Sequence, residues 1–163
     1  MQKKTTPWKY LTAAIAQTPL LEPSMTILCD TNILSELARS RPHPNVLAWS
    51  EPIIEISLSV VTLEEIAYGL AAKPNTRIQS WFEQFLQINC HILPITEEIA
   101  HRAGILRGTL QTQGKPRTQA DMLIAATAQI HQLVLVRRNI RDFEDCGISL
   151  VNPFEDRNSD RRG

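Results

Sequence analysis

Four acidic residues stand where apolar segments of the chain end, and they are the strongest candidates for chemistry: Asp30, Glu65, Asp121 and Asp142. In a fold that alternates strands and helices, the carboxyl ends of parallel strands lie along one edge of the sheet, so these distant carboxylates could meet in one pocket. Carboxylates that share a pocket repel one another, and a divalent cation relieves that repulsion. Metal-assisted phosphodiester chemistry is therefore the leading hypothesis.

The elements that would position these residues can be read from the hydrophobic pattern. Short apolar runs at residues 26–29, 56–61, 91–95, 133–136 and 148–151 predict about five strands, and helical patterns lie between them. The first run is typical of a central buried strand, whereas Pro94 in the third run favours an edge position. The alternation predicts an α/β fold, a three-layer α/β/α sandwich with a mostly parallel sheet.

Length and composition are those of an ordinary globular domain. The 163 residues are 43% hydrophobic and 21% charged, which suffices for a single core. The 17 basic and 17 acidic residues cancel, so any nucleic-acid contact must come from a local basic surface. The three cysteines show no CxxC pair or Cys/His ligand spacing, which indicates a reducing cytoplasm and no zinc site. No apolar stretch has membrane-spanning length, so no membrane partner is expected.

Composition divides the chain into three unequal parts. Residues 1–24 place lysines before a short apolar stretch, an order that only weakly resembles a signal peptide. They are interpreted as a poorly ordered N-terminal extension, or as the product of an upstream start codon, with Met25 as the alternative start. Residues 25–154 are predicted to form the folded domain, and residues 155–163 a polar tail.

Three of the carboxylates also have a purely structural interpretation. Asp30 suits the N-cap of a helix, and the spacings Thr62-x-x-Glu65 and Thr118-x-x-Asp121 fit the capping box. Capping and metal binding are compatible, because a rigid helix start is a good place to fix a ligand. The sequence alone leaves both interpretations open.

Four segments carry motifs in a fixed order: MTILCDTNILSE at 25–36, SVVTLEEI at 59–66, QADMLIAATA at 119–128 and RNIRDF at 138–143. Together they resemble the successive signatures of PIN-domain ribonucleases, in particular the VapC-type toxins of type II toxin–antitoxin pairs. The resemblance implies a parallel sheet between helices and an endoribonuclease that cleaves RNA with Mg²⁺ or Mn²⁺ as cofactor. It also implies a cognate antitoxin protein as inhibitor and a homodimer.

The resemblance assigns roles when it is carried over residue by residue. Asp30 and Asp121 match the principal metal-binding aspartates of the family. Glu65, rather than its neighbour Glu64, matches a glutamate on a helix, and Asp142 matches the aspartate of the last motif. These four acids are the expected catalytic residues. Some relatives have the last acid where Asn139 lies here, so the fourth position stays open between the two.

Five polar or basic residues are candidates for substrate binding: Thr31, Asn32, Arg137, Arg138 and Asn139. The threonine and the first asparagine could orient water or phosphate, or could serve ordinary turn and cap chemistry. The family usually has Thr-Arg-Asn after the fourth strand, whereas this chain has Arg-Arg-Asn at 137–139. Arg137 is expected to contact substrate phosphate or to weaken metal binding; the alternative is that it points to solvent.

Two other functions remain as alternatives to the nuclease. One is a catalytically silent PIN-like binding module whose carboxylates no longer converge. The other is a receiver-like domain in which Asp30 accepts a phosphoryl group, although no partner lysine follows the last strand and Arg137 is the nearest cation.

Overall fold

The computed structural model describes residues 27–155, where five strands and six α-helices alternate. The strands are β1 (Ile27–Cys29), β2 (Ile56–Ser59), β3 (Cys90–Leu93), β4 (Val134–Val136) and β5 (Leu150–Val151). The helices are α1 (Thr31–Leu37), α2 (Pro44–Ser50), α3 (Val60–Ala72), α4 (Thr76–Ile88), α5 (Glu97–Thr112) and α6 (Gln119–His131), and a 3₁₀ helix spans Arg141–Cys146. The extension predicted for residues 1–24, and the predicted tail apart from Glu155, lie outside the described residues, so the division of the chain stays a prediction.

The strands form one sheet in the order β3-β2-β1-β4-β5, and every pair in it is parallel. The predicted α/β architecture with a parallel five-stranded sheet is confirmed. β1 is central and β3 lies at an edge, as the apolar run and Pro94 indicated. In this order β1 lies between β2, which follows it in the sequence, and β4, which comes from the second half of the chain. This switch in strand order is where ligands bind in open α/β sheets.

Two apolar clusters lie on opposite faces of the sheet. Along β1, Ile27 and Cys29 belong to one cluster and Leu28 to the other, as the two-residue repeat of a strand requires. Helix α4 contributes Phe82 to the first cluster, and α6 contributes Met122 to the second. The molecule is therefore layered helix–sheet–helix. Among the described residues, no helix is both long and apolar enough to cross a bilayer.

The end of β2 differs from the prediction. The strand stops at Ser59 rather than at residue 61, because the Ser59 hydroxyl accepts a hydrogen bond from the Val61 amide at 3.2 Å and caps α3. The β-branched pair Val60 and Val61 favours a strand locally, but tertiary context makes it the first turn of the helix. Thr62 consequently lies inside α3 and is fully buried, so its interpretation as the start of a capping box is wrong.

The buried position of Leu28 gives a test of the core. Leu28 is fully buried on the central strand, so Leu28→Ala is expected to lower the free energy of unfolding by about 2–5 kcal/mol. The surface variant Ile105→Ala, at a position 53% exposed on α5, is expected to change it by less than about 0.5 kcal/mol. Urea unfolding followed by circular dichroism measures both. Equal losses would contradict the core assignment.

Candidate active site

A cavity of about 440 Å³ lies beside the carboxyl end of β1. Its lining comes from α1 and the residues that flank it, from α3 and α6, and from the segments after β4 and β5: Asp30, Thr31, Asn32, Ser35, Glu36, Arg39, Glu65, Asp121, Arg137, Arg138 and Phe154. Three of the four predicted acids are therefore brought together, and they lie at the switch in strand order.

Strand register brings Asp30 and Arg137 side by side. Cys29 of β1 pairs with Val136 of β4, so the next residue of each strand leaves the sheet at the same level. The Asp30 amide donates to the Val136 carbonyl at 3.0 Å, and the Arg137 amide donates to the Val151 carbonyl at 3.0 Å. The pattern of backbone hydrogen bonds between the strands thus continues one residue past β1 and β4. It fixes the backbone of Asp30 and Arg137, from which their side chains project.

Asp30 is both a helix cap and a wall of the cavity. It is only 4% exposed, and its Oδ1 accepts from the Thr31 amide at 2.9 Å at the start of α1. Its Oδ2 lies 3.3 Å from Nε of Arg137. Burial raises the pKa of the Asp30 carboxyl, the Arg137 guanidinium and the Thr31 amide oppose that rise, and the charge of Asp121 adds to it. The capping interpretation is confirmed, and it coexists with a place in the site.

Asp121 repeats this arrangement at the start of α6. The Thr118 hydroxyl caps the helix by accepting from the Asp121 amide at 3.1 Å, and it donates to Asp121 Oδ2 at 2.8 Å. Thr118 is therefore the N-cap, as its spacing from Asp121 predicted, but the Asp121 carboxylate accepts from the Thr118 hydroxyl rather than from its backbone amide as in a capping box. Oδ1 of Asp121 accepts from Nη1 of Arg137 at 3.1 Å. Each aspartate thus has one oxygen fixed by its own helix start and the other directed at the same guanidinium.

Arg137 does not point to solvent. Its side chain is 13% exposed, and its guanidinium carbon lies 4.5 Å from the ring centroid of Phe143, which is fully buried. Its Nε is buried and lies near Asp30 without hydrogen-bond geometry. The solvent alternative is wrong, and the residue that departs from the family pattern lies between the two principal aspartates.

Glu65 reaches the cavity from the second turn of α3. Its Oε2 accepts from the Thr31 hydroxyl at 2.5 Å, which ties α3 to the start of α1. Partial burial raises the pKa of Glu65, the Thr31 hydrogen bond opposes the rise, and the charges of Asp30 and Asp121 add to it. Glu64 is exposed and does not line the cavity. The glutamate chosen by the family pattern is therefore the one that faces the other acids.

Asp142 and Asn139 are not among the residues that line the cavity. Their side chains lie near each other, because Nδ2 of Asn139 donates to Asp142 Oδ2 at 3.4 Å at the start of the 3₁₀ helix. The Asp142 carbonyl accepts from Nε of Arg117 at 2.9 Å. The predicted roles of both residues stay predictions, with no contact in the cavity to support them.

The other candidates for substrate binding do line the cavity. Asn32 Oδ1 accepts from the Arg138 amide at 3.2 Å, which joins α1 to the segment after β4. The Arg138 guanidinium lies 4.7 Å from the ring centroid of Phe154. Both side chains are thus held by other parts of the cavity wall, and Arg138 stays exposed.

Glu36 is a lining residue that the sequence analysis did not weigh. It is 7% exposed, accepts from the His43 amide at 2.8 Å and lies 3.4 Å from Nη1 of Arg39. A signal was present, because Asn32 and Glu36 are four residues apart and therefore share one face of α1. The sequence gave no comparable signal for Phe154, which reaches the cavity from beyond β5.

The cavity has the donor chemistry of a site for a hard divalent cation. Its carboxylate oxygens are the ligands that Mg²⁺ prefers. Four carboxylates and three guanidinium groups line it, so its formal charge is minus one. Within residues 27–155, no group of three or more His, Cys, Asp or Glu side chains is already arranged to hold an ion. The ligand types therefore fit, but the two aspartates lie around Arg137 rather than around a shared point.

The fold agrees with the comparisons to known proteins. The protein-family model of the PIN domain matches residues 27–147, so the chain belongs to the PIN-domain family. The resemblance found in the sequence is thereby confirmed.

Within the PIN-domain family, the chain is similar to proteins named as ribonucleases and toxins. The chain is 33% identical to the VapC ribonuclease Y4jK of Sinorhizobium fredii over 79% of this chain and 98% of that protein. It is 32% identical to toxin FitB of Neisseria gonorrhoeae over 80% of this chain and 99% of that protein. A solved toxin–antitoxin complex from Klebsiella pneumoniae contains a similar chain, with a TM-score of 0.63, 28% identity and coverage of 80% and 99% of the two chains.

Proposed function

We propose that this PIN-domain protein is a divalent-metal-dependent endoribonuclease that hydrolyses RNA phosphodiester bonds in the cytoplasm. One observation carries the proposal: Asp30, Glu65 and Asp121, remote along the chain, line a single cavity at the carboxyl edge of the sheet. The similarity to a protein named as a ribonuclease supports the same activity. The proposed cofactor is Mg²⁺, with Mn²⁺ as the alternative.

The mechanism divides the work among few side chains. Asp30 and Asp121 would provide the oxygens that hold the cation, and their helix caps fix one oxygen of each. When bound, the cation activates a water molecule and neutralises charge that builds on the scissile phosphate. The Thr31 hydroxyl orients Glu65 toward the same space, where Glu65 would bind the cation or the attacking water. Mg²⁺ takes few carboxylates and keeps several waters, which suits so small a set of acids.

Exposed cations beside the acids suit the phosphate backbone of RNA. Arg138 and Arg39 line the same cavity, and the side chain of Arg39 is 66% exposed. A chain with no net charge needs local cations of this kind to contact a polyanion. The guanidinium group binds phosphate oxygens in pairs, so these residues are proposed to hold the strand on either side of the reacting phosphate. Thr31 and Asn32 complete the proposed substrate-binding set.

We infer further that the protein is the toxin of a toxin–antitoxin pair. The support is its similarity to a protein named toxin FitB and to a chain of a solved toxin–antitoxin complex. A cognate antitoxin protein is the proposed inhibitor, and a homodimer is the proposed assembly.

The cavity gives no support to the receiver-like alternative. Such a domain needs a lysine beside the phosphorylated aspartate, and the cations that line this cavity are all arginines. The silent binding module is separated from the nuclease by the activity tests below.

Removal of one metal-binding charge is expected to abolish cleavage. Asp30→Asn and Asp121→Asn keep the shape of the side chain but lose its charge, so each should slow cleavage at least about a hundredfold. The initial rate on a labelled RNA measures the loss, and circular dichroism confirms the fold. Asp145→Asn is the matched control, because Asp145 is paired with Lys115 outside the cavity. Full activity in either cavity variant would contradict the assignment.

Metal removal is expected to act reversibly. Protein dialysed against EDTA should not cleave RNA, and addition of MgCl₂ or MnCl₂ should restore cleavage because the cation supplies the electrostatic stabilisation. The same titration with Asp30→Asn is the control. Cleavage that persists in EDTA would refute a metal-dependent mechanism, and no cleavage under any condition would favour the silent module.

Toxicity is expected to depend on the same acids. Induced expression of the full chain in a bacterial host should arrest growth, whereas expression of Asp121→Asn at an equal level should not. Co-expression of the cognate antitoxin should relieve the arrest, and the antitoxin should co-purify with the chain. Growth arrest by the inactive variant would show that the toxicity does not come from RNA cleavage.

A further inference from the structure

Arg137 occupies the space between the two aspartates that the proposed mechanism needs for a cation. Its Nε lies 3.3 Å from Asp30 Oδ2, and its Nη1 lies 3.1 Å from Asp121 Oδ1. We propose that Arg137 is a resident counter-cation, and that a divalent ion binds only by displacing its guanidinium from these two oxygens. This inference rests on the proposed function, because it concerns the affinity of the same metal site.

The competition follows from the assignment of oxygens. Oδ1 of Asp30 accepts from the Thr31 amide, and Oδ2 of Asp121 accepts from the Thr118 hydroxyl. The remaining oxygen of each aspartate faces Arg137. A Mg²⁺ ion that contacts a carboxylate oxygen directly lies about 2.0–2.1 Å from it. Bound to these two oxygens, the ion would take up the space between them that the guanidinium now fills, and the two positive charges would repel each other there.

The guanidinium is held firmly in this position. The side chains of the ion pairs are largely buried, with exposures of 13% for Arg137, 6% for Asp30 and 22% for Asp121. The buried ring of Phe143 lies 4.5 Å from the guanidinium carbon and adds a cation–π contact. Loss of one partner from such a pair leaves buried charge uncompensated. Arg137 thus stabilises the acids without an ion, and an ion that displaces it must replace both of its ion pairs.

The charge of the cavity points the same way. With Arg137 the lining residues carry a formal charge of minus one, and a neutral residue at this position would make it minus two. The second value matches the charge of a divalent ion. Arg39 and Arg138 also line the cavity, but within the described residues neither forms an ion pair with the two aspartates. Arg137 is therefore the cation whose removal should change metal affinity most.

The test is direct binding of Mn²⁺ to the full chain, measured by isothermal titration calorimetry without RNA. Arg137→Thr removes the guanidinium and leaves a short residue that suits the end of a strand. It is expected to bind Mn²⁺ on the order of tenfold more tightly than the unmodified chain. Arg137→Lys keeps one charge but not the fork that reaches both aspartates, so its affinity should lie between the two.

Arg138→Gln is the matched control. It removes one positive charge from the same cavity without removing a partner of Asp30 or Asp121, so it should change Mn²⁺ affinity less than about threefold. A control that tightens binding as much as Arg137→Thr would overturn the proposal in favour of a general charge effect. Equal affinities for Arg137→Thr and the unmodified chain would overturn it outright.

Thermal unfolding provides a second readout that does not depend on activity. In EDTA, Arg137→Thr should melt at a lower temperature than the unmodified chain, because two buried carboxylates then face each other. Saturating Mn²⁺ should raise its melting temperature more than that of the unmodified chain. An equal rise in both would contradict displacement. If Arg137→Thr does not fold, Arg137→Lys carries both measurements.

The outcomes separate this inference from the proposed function. Mn²⁺ binding that is lost in Asp30→Asn but equal in the unmodified chain and Arg137→Thr would leave the metal site standing and refute only the counter-cation. Absence of Mn²⁺ binding in the unmodified chain and every Arg137 variant would overturn both.

Discussion

The site depends on one constraint, the register between β1 and β4. Because Cys29 pairs with Val136, the chain leaves the sheet at Asp30 and at Arg137 on the same level and in adjacent strands. An acid and a base are thereby forced together at the edge where the strand order switches. A shift of one residue in either strand would turn one of the two side chains to the other face of the sheet. Backbone pairing, rather than side-chain attraction, is therefore what brings these charges together.

Helix starts then determine which oxygens remain available. Asp30 caps α1 and Asp121 lies in the first turn of α6, and in each case a local hydrogen bond holds one carboxylate oxygen. The structural and functional interpretations of these acids are consequently not alternatives. The hydrogen bond at the helix start fixes the direction of each carboxylate, which is what a proposed metal ligand needs. The helix dipole also favours the ionised form of a carboxylate at this end of the helix. The same geometry leaves the two remaining oxygens to a single cation, and in this structure that cation is Arg137.

Much of this arrangement could be predicted from sequence, because strands and helices that alternate impose parallel pairing and bring their carboxyl ends together. The convergence of Asp30, Glu65 and Asp121 follows from that rule. The place of Asp142 does not, since a 3₁₀ helix between β4 and β5 determines the direction of its side chain. Nor does the end of β2, where Ser59 begins a helix in a segment whose β-branched residues favour a strand.

The final strand has a consequence for how the molecule opens. β5 is two residues long, yet its Val151 carbonyl anchors the Arg137 amide. Just beyond it, the Phe154 ring lies against Arg138 and the Phe154 carbonyl accepts from the Asn45 side chain at 3.1 Å. So short a strand separates from a sheet at far lower free energy than a buried central one. Fraying at this end would release one wall of the cavity while the hydrophobic core remains folded. The arrangement of side chains in the cavity is therefore lost at a lower free energy than the fold itself.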